Sequence, residues 1–260
     1  MRRMNRQLGY TLVELMIGGV LGLFLFAGAL QVFLSSSQTA NLQTSMAELQ
    51  ERARFISQYL RDEFERAGWR RPTSAVNNAT LPVPVTFSGT TQTAEDITAC
   101  GTGNCDRIRI TYDGIRDCLG DQVNSGATGL VTNTYFVQGG QLRCQGNKPG
   151  KNDIIMDNVE SFQLLYGLDD STARRLPYTN TSNERDGLID RYVEAYDFNT
   201  NALATLYSIR FAILLRSSSD NVYDQNTNKS FTLMNEAPRN YNDRVMRLLV
   251  SGTAMVSNRE

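Results

Sequence analysis

The hydrophobic residues near the start of the chain form one long apolar run. Residues 15–34 contain a single strongly polar side chain, that of Gln31. Twenty residues in a helix measure about 30 Å, which is the thickness of the hydrocarbon core of a bilayer. The pattern therefore predicts a membrane-spanning helix close to the N-terminus.

After this run the hydrophobic positions continue at the spacing of an amphipathic helix. Charged residues, among them Glu63 and Arg66, occupy the remaining faces, and Gly68 followed by Pro72 is typical of a helix end. One nearly continuous helix is predicted over about residues 11–67, roughly 85 Å long. Its apolar stripe consists of residues three or four apart: Leu42, Met46, Leu49, Ala53, Ile56, Leu60, Phe64 and Ala67.

From about Pro72 onward, turn-rich stretches alternate with short segments of period two. The stretches 81–84 and 88–103 have the composition of loops, and Gln138-Gly139-Gly140 is typical of a hairpin turn. The fold class predicted is α+β, with the long helix packed on an antiparallel β-sheet domain that carries long loops. Strands are predicted at 107–112, 130–137, 141–144, 159–166, 206–215, 231–233, 245–250 and 253–256.

Charge and composition narrow the possible functions. The 260-residue chain has a formal net charge of −1 and contains no histidine. A nearly neutral chain argues against a nucleic-acid partner held by bulk charge. The absence of histidine excludes Ser-His-Asp and Cys-His mechanisms. The sequence also shows no nucleophile or phosphate-loop motif, so we expect a protein that is not an enzyme and that uses no cofactor.

The four cysteines all follow the apolar run, at Cys100, Cys105, Cys118 and Cys144. An even number in an exported domain favours disulfides, whereas the spacings C-x4-C and C-x25-C fit no common zinc pattern. Three pairings are possible. Pairing of neighbours along the chain closes the shortest loops and is favoured, although the sequence leaves the connectivity open.

The flanks of the apolar run indicate its orientation. Arg2, Arg3 and Arg6 precede it and no charge follows closely, so residues 1–9 are expected in the cytoplasm and the rest beyond the membrane. A secretory signal cleaved after Ala29 and a plain membrane anchor are two simple interpretations. Neither requires a carboxylate such as Glu14 at the start of the run, and neither predicts a helix that continues past the membrane.

The segment G-Y-T-L-V-E-L, residues 9–15, resembles the class III signal of type IV pilins and of type II secretion pseudopilins. The resemblance implies that a prepilin peptidase cleaves after Gly9 and that Tyr10, where the family usually has Phe, is then N-methylated. It also implies that Glu14 pairs with the N-terminal amine of a neighbouring subunit and fixes the axial register. A lone carboxylate in the dry core of a filament needs such a partner.

The resemblance also implies a division of the chain. Residues 1–9 are the cytoplasmic leader, residues 10–68 the long helix with a transmembrane half over 10–34, and residues 69–260 a β-rich domain in the periplasm or outside the cell. The expected location is the inner membrane for the precursor, as a single-pass protein, and then the pilus at the cell surface.

Motifs inside the second half resemble the PilW group of minor pilins: Cys118-Leu119-Gly120, Leu142-Arg143-Cys144, V-E-S-F-Q-L-L-Y-G-L-D from residue 159 and D-G-L-I-D-R-Y from residue 186. This implies a filament subunit that helps to start assembly at or near the pilus tip and so serves twitching motility. Its partners would be other minor pilins, the major pilin, the prepilin peptidase and the inner membrane, with no nucleic acid. The alternatives are a minor pseudopilin of a type II secretion system and a pilus-borne adhesin that binds through loops 72–100 or 170–185.

An acidic, turn-rich stretch offers one metal hypothesis. Asp186 and Asp190, with Asp169, Asp170 and Asn183, supply oxygen ligands of the kind that calcium prefers. The stretch does not match the EF-hand pattern, and Asp-Gly is a turn signal by itself. The favoured expectation is therefore that the protein holds no metal.

Overall fold

The computed structural model describes residues 10–70, 85–86, 97–100, 103–123, 129–169, 188–195, 197 and 205–256. A single 54-residue helix, α1 (Leu12–Glu65), dominates one end of the molecule. Thr11 is its N-cap, and the helix closes at Arg66, whose N–H donates to the Glu63 carbonyl oxygen, while the next N–H, that of Ala67, donates to the Phe64 carbonyl oxygen. Gly68 follows in the left-handed region, at φ 75°, which explains why glycine stands there.

Most of the remaining described chain is β-structure in antiparallel pairs. Five strands form one sheet in the order β1-β4-β5-β6-β7, and four form a second sheet in the order β13-β10-β8-β9. Two further hairpins are β2 with β3 and β11 with β12. The strands are β1 (Val85–Thr86), β2 (Ile97–Cys100), β3 (Gly103–Cys105), β4 (Ile108–Gly114), β5 (Gly129–Gln138), β6 (Gln141–Gln145), β7 (Asn152–Asp157), β8 (Val159–Asp169), β9 (Arg191–Val193), β10 (Thr205–Arg216), β11 (Thr227–Phe231), β12 (Arg239–Asp243) and β13 (Arg247–Met255).

The amphipathic half of α1 packs on these sheets, chiefly on β13 and β10. Leu49, Ile56, Leu60 and Phe64 are buried, and the Phe64 ring packs edge-on against that of Phe211 in the centre of β10. This arrangement confirms the predicted α+β class, because a long helix covers the apolar face of an antiparallel sheet.

The predicted helical stripe is wrong at one position, Met46. Met46 is 54% exposed, whereas Ser45 beside it is buried. Ser45 is the first buried residue along α1, so the contact with the domain only begins there and Met46 lies at its margin on the side turned away. Leu42, one turn earlier, is half-buried.

The strands with strong alternation are confirmed: β4, β5, β6, β8 and β10 lie where they were predicted, and Gly139 and Gly140 make the β5–β6 turn with positive φ. Three predictions are wrong. The strand predicted at 231–233 lies earlier, since β11 ends at Phe231. The predicted loop 88–103 contains β2, which pairs with β3 beside a disulfide. The predicted strands 245–250 and 253–256 are one strand, because Gly252 does not interrupt β13 but leaves space for the Phe211 ring.

Candidate assembly site

The N-terminal half of α1 is not covered by any other part of the chain that the structure describes. Large apolar side chains such as Phe24 and Leu25 are 74% and 77% exposed. Among the described residues, α1 is also the one helix long and apolar enough to cross a membrane. An apolar surface of this extent is stable only in a bilayer or against other apolar helices.

Glu14 lies in the first turn of this exposed half. Its backbone N–H donates to the Thr11 hydroxyl oxygen at 3.3 Å, and its side chain is exposed. Tyr10, 77% exposed, directly precedes the cap residue. The structure thus brings Tyr10 and Glu14 to the same tip of the helix, while Gly9 lies outside the described residues.

The motif around Glu14 is also a helix-capping motif, which the sequence analysis did not use. Thr at the N-cap with Glu three residues later is the capping-box pattern, and a carboxylate in the first turn interacts favourably with the helix dipole. The spacing T-x-x-E was visible in residues 11–14. The structure shows the bond of this motif that the Glu14 backbone N–H makes to Thr11, and the Glu14 carboxylate lies in the turn where the helix dipole favours a negative charge.

At the other end of α1, a buried carboxylate joins the helix to the five-stranded sheet. Glu63 is 8% exposed, and its Oε2 accepts hydrogen bonds from the Tyr135 hydroxyl at 2.6 Å and from Asn133 Nδ2 at 3.4 Å. Arg66 Nη1 donates to Glu63 Oε1 at 2.9 Å. The sequence analysis placed Glu63 only among the charged residues outside the apolar stripe, and the structure shows that it is buried. Glu63 directly precedes Phe64 and follows Leu60 by three residues. All three side chains therefore lie on the part of the helix surface that the sheets cover.

This cluster changes the acidity of the phenols around it. Burial raises the pKa of Tyr59 to about 12, and the negative charge of Glu63 adds to that effect. The same two causes, in the same order, raise the pKa of Tyr112 and hold the pKa of Tyr135 well above its usual range. The tyrosines therefore remain neutral hydrogen-bond donors, which is the form that a buried carboxylate needs.

A second polar contact holds the helix near the start of the domain. Ser218, in the loop after β10, donates to Glu48 and accepts from Arg52 Nη2 at 3.2 Å and from Asn158 Nδ2 at 3.3 Å. Glu48 and Arg52 also form an ion pair at 3.0 Å. Because Glu63 follows Glu48 by 15 positions, the two contacts are about 22 Å apart along the axis, so they fix the direction in which α1 leaves the domain.

The cysteines form two disulfides between neighbours in sequence, Cys100 with Cys105 and Cys118 with Cys144. The first joins β2 to β3. The second ties the loop after β4 to β6, a separation of 26 residues. Both cross-links therefore stabilise local segments of the β-domain.

The acidic stretch proposed for calcium lies mostly outside the described residues, including Asp170, Asn183 and Asp186. Of the described members, Asp169 is buried at the end of β8, and the Asp190 N–H donates to the Leu168 carbonyl at 2.8 Å. The described part of the chain contains no group of three or more Cys, Asp or Glu residues arranged to hold a metal ion. The calcium hypothesis gains no support from these residues and stays a prediction.

The long half-exposed helix, the antiparallel β-domain and the local disulfides define a pilin-like subunit. A protein-family model for PilW, the type IV pilus-assembly protein W, matches residues 123–258, which is slightly more than half of the chain. The chain therefore belongs to the PilW family.

Two other comparisons add little. Among solved structures, a type IV-like pilin from Thermus thermophilus matches with 14% sequence identity and a TM-score of 0.44, over 82% of this chain and 97% of that one. None of the curated proteins matches the chain.

Proposed function

We propose that this protein is a minor type IV pilin, a non-enzymatic subunit that is held in the inner membrane as a precursor and then enters a pilus. The observation that carries the proposal is the continuity of α1. The helix is unbroken. Its first half, beginning at Leu12, is apolar and exposed, and from Ser45 onward it packs on the β-domain. A subunit of this shape can exchange lipid for the apolar helices of neighbours without unfolding its domain.

Processing at the N-terminus fits the local structure. We place the cleavage by prepilin peptidase between Gly9 and Tyr10, with N-methylation of the new terminus at Tyr10. The cap residue Thr11 and the whole of α1 follow this position. Removal of the leader therefore leaves the helix and its cap intact, and it creates a positively charged amine one residue before the cap.

In the assembled filament, the Glu14 carboxylate pairs with the Tyr10 amine of a neighbouring subunit. A carboxylate among apolar helices without a partner costs several kcal/mol, whereas a paired one is tolerated. Neighbours that are shifted along the axis would leave both charges unpaired. The pair would therefore select one register, which is more than it would add to total stability.

Membership of the PilW family supports a role in starting assembly, at or near the tip, together with other minor pilins and the major pilin. The same match is to a pilus-assembly protein, which favours a pilus over a type II secretion filament. A pilus-borne adhesin would depend on loops 72–100 and 170–185, most of which lie outside the described residues. Deletion of either loop would abolish surface binding and spare piliation if the adhesin interpretation were correct.

The decisive experiment separates the two roles of Glu14. Glu14→Gln keeps a residue that serves in a capping box but removes the charge, whereas Glu14→Ala removes both. We expect both variants to insert into the membrane and to reduce filament number to a similar extent. If Glu14→Gln assembles normally while Glu14→Ala does not, the residue acts through the cap and the register pair is refuted.

Mass spectrometry of the mature protein tests the processing step. An N-methylated Tyr10 at the first position is the expected result. A protein that begins at Leu30 would mean ordinary signal cleavage after Ala29 and would overturn the proposal, because a chain cut there lacks most of the apolar helix.

A further inference from the structure

An open cleft of about 580 Å³ lies at the C-terminal end of α1, opposite to the apolar half of that helix. One wall is the end of α1 with Asp62, Arg66 and then Trp69, and the other is formed by Ile115 and Arg116 after β4. Trp69 is 41% exposed and Ile115 is 51% exposed. Trp69 is also the single tryptophan of the chain. We call this feature the distal cleft.

The wall that carries Ile115 is rigidly built. In loop 115–123 the Val123 N–H donates to the Ile115 carbonyl at 3.0 Å, and Arg116 Nη1 donates to the Gly120 carbonyl at 2.7 Å. The Cys118–Cys144 disulfide ties this loop to β6. An exposed aliphatic side chain on such a braced loop loses little conformational freedom on binding, which favours affinity.

Buried Asp117 adds a second brace. Its Oδ1 accepts hydrogen bonds from the backbone N–H groups of Leu119 and Asp121, both at 3.0 Å, and its Oδ2 accepts one from the Asn147 N–H at 3.0 Å. The opposite wall is held as well, because the Asp113 N–H donates to the Trp69 carbonyl at 2.9 Å. The backbone of both walls of the cleft is therefore held in place.

The position of the cleft excludes a bilayer as its occupant. Asp62 follows Leu34, the last residue of the apolar run, by 28 residues, which is about 42 Å of helix. The occupant must come from the aqueous side. Since α1 itself forms one wall, the cleft is continuous with the helix along which neighbouring subunits pack in the proposed filament.

The chemistry of the cleft fits a protein surface. Trp, Tyr and Arg are the residues enriched at the energetic centres of protein interfaces, and here Trp69, Tyr112 and Arg116 line one cleft. Acidic Asp62 lies on the same rim, where the cations are already engaged within the chain: Arg66 pairs with Glu63, and Arg116 donates to the Gly120 carbonyl. We propose that the distal cleft receives an apolar side chain of another pilin subunit, with a basic residue of that subunit facing Asp62. This inference rests on the proposed function, because it names the contact through which the minor pilin meets its axial neighbour.

The test compares exposed apolar residues inside and outside the cleft in the full-length protein. Trp69→Ala and Ile115→Ser change the two walls. Leu249→Ser and Met255→Ser are matched controls, because these side chains of β13 are 38% and 40% exposed and lie away from the cleft. Pairwise binding to the other pilin subunits of the same cell is measured in detergent, and filaments are counted in cells that make each variant.

We expect each cleft variant to weaken binding to one pilin subunit at least tenfold and to reduce filament number, with both controls unchanged. Ile115→Ser guards against misfolding of the Trp69 variant, since its change lies on the surface of a braced loop. Thermal unfolding of every variant verifies the fold. Unchanged binding by folded Trp69→Ala and Ile115→Ser would overturn the inference.

Two further outcomes separate this inference from the function on which it rests. If deletion of the whole chain reduces filaments but the cleft variants do not, the cleft proposal fails and the pilin function stands. If deletion leaves filaments unchanged, the function itself fails.

If oligosaccharides change the Trp69 fluorescence while binding to pilin subunits is unaffected by Trp69→Ala, the cleft is a saccharide site and the proposed partner is wrong.

Discussion

The hydroxyl of Tyr135 donates a 2.6 Å hydrogen bond to the carboxylate of Glu63, across the contact between the five-stranded sheet and α1. Both side chains are buried, with Tyr135 fully enclosed. The bond joins the helix that is proposed to enter the filament to the domain that stays outside it. A weaker bond would therefore reduce the stability of the contact between α1 and the β-domain.

Tyr135→Phe should destabilise the domain by about 1–3 kcal/mol, because it leaves a buried carboxylate oxygen short of its best donor while changing the volume little. Thermal or denaturant unfolding of the full-length protein in detergent measures the loss. Tyr223→Phe, at a partly exposed position, is the matched control and should change stability by less than about 0.5 kcal/mol. Equal effects of the two substitutions would show that the Glu63 contact contributes nothing special.

The same cluster predicts a loss of stability in alkali. The pKa of Tyr59 rises to about 12 in the folded protein, and those of Tyr112 and Tyr135 are raised as well, against about 10 in an unfolded chain. A raised pKa means that the folded state keeps its proton to higher pH. The stabilisation is therefore complete below pH 10 and is lost as pH rises from about 10 through about 12.

Ultraviolet difference spectra of the phenolates, recorded together with circular dichroism, test this pH dependence. Part of the tyrosine absorbance should appear only as the domain unfolds. If all eleven tyrosines ionise near pH 10 in a domain that remains folded, the buried phenols are accessible and the prediction is refuted.

Much of this fold follows from hydrophobic period alone. The run over residues 15–34 is apolar on its whole circumference and indicates a membrane-length helix. The alternation of Ile209, Phe211, Ile213 and Leu215 makes one face apolar and indicates a strand. The edge strand β7 was not predicted, since Asn152, Asp153 and Asp157 give it the composition of a loop. Polar residues are common on edge strands, so period and propensity both weaken there.

The functional residues also differ in how far the sequence alone identifies them. Tyr10 and Glu14 belong to a local motif, and the sequence alone places them at one helix tip. Glu63 and Trp69 gain their meaning from partners that are distant in sequence: Tyr135 lies 72 positions away from Glu63, and the wall opposite Trp69 begins at Ile115. A charge next to an apolar helical stripe was the available signal for Glu63, and it does not identify the partner.

Arg247 should be among the most sensitive charged positions in the domain. Its side chain is 3% exposed and donates to Glu160 Oε2 at 2.6 Å and to Asp243 Oδ2 at 2.7 Å, and it stacks on the ring of Tyr241 at 3.7 Å. Arg247→Met would remove the closest cation from Glu160 and Asp243 and leave Arg216, whose Nε lies 4.0 Å from Glu160 Oε1, so we expect a loss of about 1–3 kcal/mol. Arg61→Met, at an exposed position of α1, is the control for charge removal and should leave stability nearly unchanged.

The stability of the domain in acid tests the same cluster of Arg247 and its carboxylates. Hydrogen bonds from Arg247 hold the pKa of Asp243 below its usual range. A lowered pKa gives stability that is present above pH 4 and is lost as pH falls through the folded value. Asp243→Asn should flatten this part of the acid unfolding curve. An unchanged curve would mean that the carboxylate does not contribute.

Gly252 should not tolerate a side chain. A Cβ atom there would lie 2.4 Å from Cζ of Phe211, a fully buried ring that packs against Phe64 of α1. Gly252→Ala is expected to cost about 1–3 kcal/mol through overpacking, and Phe211→Leu in the same chain should recover part of that loss. A double-mutant cycle by denaturant unfolding measures the coupling. Additive effects would show that the ring is not the obstacle.

The two disulfides should differ in what their removal costs. On the chain-entropy estimate, the Cys118–Cys144 link, which spans 26 residues, stabilises by about 3.5 kcal/mol, and the Cys100–Cys105 link, which spans five, by about 2 kcal/mol. Double replacement by Ser at each pair, compared by unfolding of the full-length protein, tests the order. The Cys118–Cys144 variant should also loosen loop 115–123 and weaken binding at the distal cleft, whereas the Cys100–Cys105 variant should not. If loss of the shorter link has the larger effect on both readouts, the brace on the cleft is not the Cys118–Cys144 disulfide.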